Sequence, residues 1–174
     1  WELYIKISFI LLRMSIPKFL EVKMFHIVLF EPEIPQNTGN IGRLCVGTES
    51  TLHLIQPMRF ILTDKALKRA GLDYWPNLNL QIHNSIEEIY AIFPQERIFL
   101  ASTKVKKCYW DIKYQKDDVF VFGPESRGLP IELLNKYPEQ GIRIPMSNKI
   151  RSINLANSVA IIMYEAVRQI NCFF

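Results

Sequence analysis

From Phe25 onward, short continuous apolar runs alternate with stretches of helical period. Phe25–Phe30, Leu52–Ile55, Leu80–His83, Ile98–Ala101, Val119–Phe122 and Ile142–Ile144 read as strands, the last cut off by Pro145. Most are apolar without interruption, the mark of strands buried on both faces. Between them lie helical patterns. Asn37–Gly47 starts on Asn37 or Thr38 as a cap, and Thr63–Ala70 is capped by Thr63 and stopped by Gly71. Ser85–Phe93 has Glu88 at capping-box spacing. Leu129–Tyr137 carries Pro130 in its first turn, and Ser152–Gln169 is long and apolar. Repeated strand–helix alternation predicts an α/β domain: a parallel sheet covered by helices on both faces.

A chain of 174 residues with 49% apolar and 22% charged residues fits one such domain with a real core. Its net charge of +4 suits a polyanionic partner without proving one. Cys45, Cys108 and Cys172 are odd in number and far apart, which argues against a disulfide framework and for a reducing cytoplasm. His26, His53 and His83 read as strand histidines; no pair has metal-ligand spacing, so no metal is expected. The chain starts on Trp1, and residues 1–23 read as an extension outside the core. Its apolar run Tyr4–Leu12 contains Lys6 and is too short to span a bilayer, and Glu2 before it makes a poor signal peptide. Residues 24–174 are then the domain, with no membrane contact.

Three loops carry chemistry, each beside a buried strand, where open parallel sheets place ligands. The first, EPEIPQNTGNIGR over 31–43, stiffens a turn with two prolines and opens a helix whose amides can face an anion. A capped helix with a solvated Arg43 explains it equally well. Neither G-x-x-x-x-G-K-[ST] nor G-x-G-x-x-G occurs, which counts against a P-loop and a Rossmann dinucleotide site. The second, FGPESRGLP over 122–130, places Gly123 where a ligand can approach backbone. A plain strand-to-helix turn capped by Ser126 explains its glycines and proline, but not why Glu125 and Arg127 crowd it. The third, IPMSNKIRSINLANS over 144–158, opens an apolar helix with Ser152 as cap and Asn154 and Asn157 on one face. If buried, those asparagines need partners.

Together the three loops resemble the three motifs of the SPOUT methyltransferases, in the SpoU branch that modifies ribose 2′-hydroxyls. FHIVLFEPEIPQNTGN over 25–40, KALKRAGLDY over 65–74, 122–129 and Arg143–Met146 are similar to the small single-domain enzymes acting on the tRNA wobble ribose. The likeness covers about Met24 to Ile170; Gly42 and Thr48–Ser50 depart from the usual pattern. The resemblance implies a SPOUT fold with a C-terminal trefoil knot, a homodimer using the last helix, S-adenosylmethionine as cofactor and the tRNA anticodon stem-loop as partner. It implies a cofactor pocket of Ala101, Gly123, Ile144 and Ser152, and catalytic roles for Arg43, Glu125 and Asn154. A guanidinium almost never gives up its proton, so Arg43 is better read as holding phosphate and stabilising alkoxide charge. The 2′-proton then goes to water, phosphate or Glu125. Two alternatives stay open: a 2′-O-methyltransferase acting on another tRNA or rRNA ribose, and a non-catalytic RNA-binding protein of the same fold.

Overall fold

The structure, a computed structural model, describes residues 24–60 and 73–170. The extension and the helix expected over Thr63–Ala70 lie outside the described residues. Among the described residues six strands form one all-parallel sheet: β1 (Phe25–Phe30), β2 (Thr51–Ile55), β3 (Asn79–His83), β4 (Ile98–Ala101), β5 (Asp118–Phe122) and β6 (Gly141–Ile142). Their order is β3-β2-β1-β5-β4-β6. Four helices among the described residues cover it: α1 (Pro35–Gly47), α2 (Ile86–Ile92), α3 (Ile131–Lys136) and α4 (Leu155–Gln169).

Side chains alternate across the sheet, so β1, β2, β4 and β5 each feed two cores. On one face Phe25, Ile27, Leu29, Leu52, Leu54, Phe99 and Phe120 pack against Ile41 and Cys45 of α1 and Val159, Ile162, Met163 and Ala166 of α4. On the other, Val28, Ile55, Ile98, Leu100, Val119 and Val121 pack against Ile86 and Ile89 of α2, Leu129, and Leu134 of α3. The expected α/β class with helices on both faces is what the chain adopts. Gly42 has a local reason. A Cβ there would lie 3.2 Å from Leu78 and 3.3 Å from Trp75, so the ring cluster after residue 73 occupies the space of a larger side chain. No helix among the described residues is long and apolar enough to cross a membrane.

Helix starts are where the expectations fail. α1 begins two residues early, with Pro35 in its first turn and no side-chain cap; Asn37 and Thr38 are already helical. Ser85 precedes α2 but makes no capping bond, and Glu88 reaches back to the Asn84 amide at 3.2 Å instead. α3 starts at Ile131, after Pro130 rather than before it. α4 is capped by Asn154, whose Oδ1 accepts from Ala156 N at 2.9 Å and Asn157 N at 3.3 Å, and not by Ser152. Strand β6 stops at Ile142; Arg143 makes only an isolated bridge to Cys108. For α1 the reason is that its start is held from across the fold, by Glu125, rather than by a neighbour in sequence.

Candidate functional site

The C-terminal ends of β1, β4 and β5 open on a cavity of about 410 Å³. Ala101 ends β4, Gly123 and Glu125 follow β5, and Ile144, Ser152 and Asn154 lie between β6 and α4; all six line it. Apolar wall comes from Phe122, Ile142, Ile144 and Leu155, and hydroxyls from Ser102, Thr103 and Ser152. A cleft with apolar walls and a few convergent polar groups is the usual form of a small-molecule site.

Two loops hold each other through exchanged carboxylates. Glu125 Oε2 accepts the Glu33 amide at 2.9 Å, and its Oε1 accepts the Ile34 amide at 3.3 Å and Asn37 Nδ2 at 2.9 Å. In return Glu33 Oε2 accepts the Ser126 amide at 3.0 Å and Oε1 the Ser126 hydroxyl at 2.9 Å. The Ser126 hydroxyl, its amide, Arg59 and Arg127 hold the Glu33 carboxyl below its ordinary value. Arg127 pairs with Glu31. The N-terminus of α1, read from sequence as a site for an anion, is therefore occupied by the chain's own Glu125, placed where helix amides favour negative charge. This also explains the crowding of Glu125 and Arg127 in one turn: both reach to the first loop. Ser126 caps no helix.

The third loop joins through Asn37. Asn37 is buried, and its Oδ1 accepts Asn154 Nδ2 at 3.0 Å. Glu125, Asn37 and Asn154 thus form one line across all three loops. Asn154 finds its partners within the chain, and Asn157, which shares no such contact, is exposed. Asn37 is the residue that sequence reading missed. It was assigned to a local cap, and its only signal was an amide just before a helix that Pro35 had already begun.

Gly123 is needed for a reason other than ligand access. A Cβ on it would stand 2.2 Å from the Leu129 amide nitrogen and 2.3 Å from the Gly128 carbonyl carbon. The close approach is by the chain's own loop, which turns back through Gly128 at φ 68°. Arg43 stands apart. It does not line the cavity, its side chain is 63% exposed, and it contacts Asp73 Oδ1 at 3.4 Å and stacks over the Tyr74 ring at 4.6 Å. Six residues separate it from Asn37, roughly 9 Å along the α1 axis.

The model of the SpoU rRNA Methylase family matches residues 24–164. A tRNA (cytidine(34)-2′-O)-methyltransferase from Methylovorus glucosotrophus is 51% identical over 147 residues, 84% of this chain and 96% of that protein. A solved structure described as giving structural insights into the 2-OH methylation of C/U34 on tRNA is 42% identical. It superposes with a TM-score of 0.79, covering 86% of this chain and 97% of its own. The SpoU methyltransferase AviRb from Streptomyces viridochromogenes, in complex with AdoMet, shares the fold at a TM-score of 0.71 and 22% identity, over 87% of this chain and 60% of its own. A family match over most of the chain, and a half-identical relative spanned almost end to end, place this chain in the SpoU methylase family.

Proposed function

We propose that the protein transfers a methyl group from S-adenosylmethionine to the ribose 2′-hydroxyl of the tRNA wobble nucleotide. The observation that carries this reading is the line Glu125–Asn37–Asn154, which ties the three loops of the family's motifs around one cavity. The half-identical relative supplies the substrate class.

The cavity suits the cofactor. Its apolar walls accept a purine, strand-end amides and carbonyls near Ala101, Gly123 and Ile144 can read the adenine edge, and Ser152 adds a hydroxyl. S-adenosylmethionine supplies a methyl already activated for transfer, so the protein's task is alignment. Arg43, on a solvent-facing surface of α1, is the group to hold the phosphate beside the target ribose and to stabilise charge on the 2′-oxygen. Glu125 is a positioning residue in this scheme. Three donors already occupy its two oxygens, which makes it a poor acceptor for the 2′-proton; water or phosphate takes that role. Asn154 acts in the same way, by fixing Asn37.

Residues 24–174 serve as the catalytic unit, since the family match begins at residue 24. Ile161 and Tyr164 lie exposed on α4, 36% and 51%, and a homodimer through that helix would cover them. The C-terminal trefoil knot and a cytoplasmic location follow from the family reading. The test is methyl transfer to an anticodon stem-loop with and without a deoxyribose at position 34. Transfer lost with the deoxy substrate, alongside a melting-temperature rise with S-adenosylmethionine, supports the reading. Equal transfer to both would move the target elsewhere, and cofactor binding with no transfer to any RNA would favour a binding protein.

A further inference from the structure

All three histidines of the chain lie in one hydrogen-bonded row. β1, β2 and β3 carry His26, His53 and His83 on the same sheet face, each one diagonal step from the last. His26 Nδ1 is 2.9 Å from His53 Nε2, and His53 Nδ1 is 2.9 Å from His83 Nε2. A carboxylate stands at each end: Glu88 Oε2 lies 3.1 Å from His83 Nδ1, and Asp117 Oδ1 lies 3.4 Å from His26 Nε2. The rings are buried, and Phe93 covers His26 and His53 at centroid distances of 4.4 Å and 5.8 Å. Charged groups reach the row from α2, as Glu88, and from the β4–β5 connection, as Asp117, whose neighbour Asp118 is paired with Arg97.

Each of the four contacts needs one proton, and three neutral imidazoles carry only three. Glu88 decides which contact goes without. Its Oε1 accepts the Asn84 amide at 3.2 Å and Asn84 Nδ2 at 3.3 Å, and the Asn84 amide above all holds its carboxyl below the ordinary value. Glu88 is therefore an ionised acceptor, and His83 Nδ1 bears a proton. His83 Nε2 must then accept from His53 Nδ1–H, and His53 Nε2 from His26 Nδ1–H. The count runs out at His26 Nε2, whose lone pair faces the Asp117 carboxylate.

We propose that His26 Nε2 and Asp117 Oδ1 form a binding site for one proton, at the open end of a one-way row of three Nδ1–H histidines. A proton taken up there closes all four contacts and leaves the other two rings unchanged. The middle ring cannot take its place, because burial pushes His53 down to about 3. Burial also lowers His26, with Asp117 pulling the other way. Below pH about 6.5 an unfolded chain takes up protons that the folded row resists. Stability from the row is full above that pH and falls as the pH drops toward 3. The row is not a metal site, since its facing nitrogens spend their lone pairs on each other.

The experiment is long-range ¹H–¹⁵N correlation on the full chain labelled at histidine, from pH 8 to pH 5. At pH 8 all three rings should be Nδ1–H, against the preference of a free imidazole for Nε2–H in water. On acidification His26 alone should gain a second proton. Asp117→Asn is the companion variant. Residue 117 has φ 65°, a backbone state that asparagine tolerates, and the new amide can donate to His26 Nε2. It should lower the His26 midpoint by about one unit or more, the size of a lost neighbouring carboxylate, and raise the melting temperature at pH 8. An Nε2–H form at His53 or His83, first protonation at His53, or an unchanged His26 midpoint in Asp117→Asn would overturn the proposal. The wild-type tautomers decide it even without the variant.

Discussion

The two ends of β5 hold carboxylates in opposite ways. At its start Asp118 is fully buried against a cation: Arg97 Nε donates to Oδ1 at 2.7 Å and Nη2 to Oδ2 at 2.5 Å, with the Gln115 amide at 2.8 Å. Burial still pushes the Asp118 carboxyl up, while Arg97 and the Gln115 amide pull it back. Just past the other end, two backbone amides and a side-chain amide hold Glu125, with no cation among its hydrogen-bond partners in the described residues. The first arrangement neutralises charge and needs nothing more. The second fixes loop geometry by direction rather than charge, beside a cavity. A parallel sheet separates these roles by strand polarity: one end is for staying folded, the other for ligands.

Arg43→Ala should have the largest effect, a loss of methyl transfer of 10²-fold or more, the scale of one lost charge-stabilising group. Cofactor affinity and melting temperature should hardly move, because the Arg43–Asp73 pair is exposed and contributes little to stability. Loss of cofactor binding in a folded variant would place Arg43 in the pocket after all. Asp118→Asn should instead act on stability. It strands Arg97, and unfolding in denaturant should show a loss of about 3 kcal/mol, the scale for breaking a buried pair. Turnover of the folded fraction should be unchanged, and a selective loss of turnover would erase the division between the two ends. Glu125→Gln should fall between. It presents an NH₂ group where an acceptor is needed, costing about 1–3 kcal/mol in loop order and a matching fall in kcat. A bell-shaped pH profile that loses its acidic limb in this variant would restore Glu125 as the proton acceptor. The smallest effect is ionic. Affinity for the stem-loop should fall with salt at a slope of roughly 0.7 per phosphate contact to single strands. Arg127 should add little to it, because it is already paired with Glu31.

The sheet was legible because burial on both faces leaves continuous apolar runs, and no other element of that length does so. β1, β2, β4 and β5 appear within one residue of their expected bounds. Loops leaving such strands converge at one edge, and Ala101, Gly123, Ile144 and Ser152, which the family resemblance implies for the cofactor, line the cavity there. What sequence did not disclose was partnership at long range. Asn37 looked like a cap, Gly123 like a landing place for a ligand, and three histidines like separate strand residues. Each is defined by an atom some thirty or more residues away along the chain, or by a backbone turn that only the folded loop makes. Periodicity describes which face a residue occupies and is silent on which neighbour shares it.

The central place of β1 sets a schedule for the chain's birth. Its neighbour on one side, β2, follows within a few dozen residues, but its other neighbour pairs Phe25 with Asp118, 93 positions later. At about 5–20 residues per second, a ribosome leaves one flank of this strand without its mate for roughly 5–20 s. During that interval a strand apolar on both faces presents a bare edge, the template on which nascent chains misassociate. With β1 at the middle of the sheet, the pocket cannot form on a nascent chain that lacks the third loop, whose Ile144, Ser152 and Asn154 line it. The interval before the β5 pairing is when the bare edge of β1 is most open to misassociation.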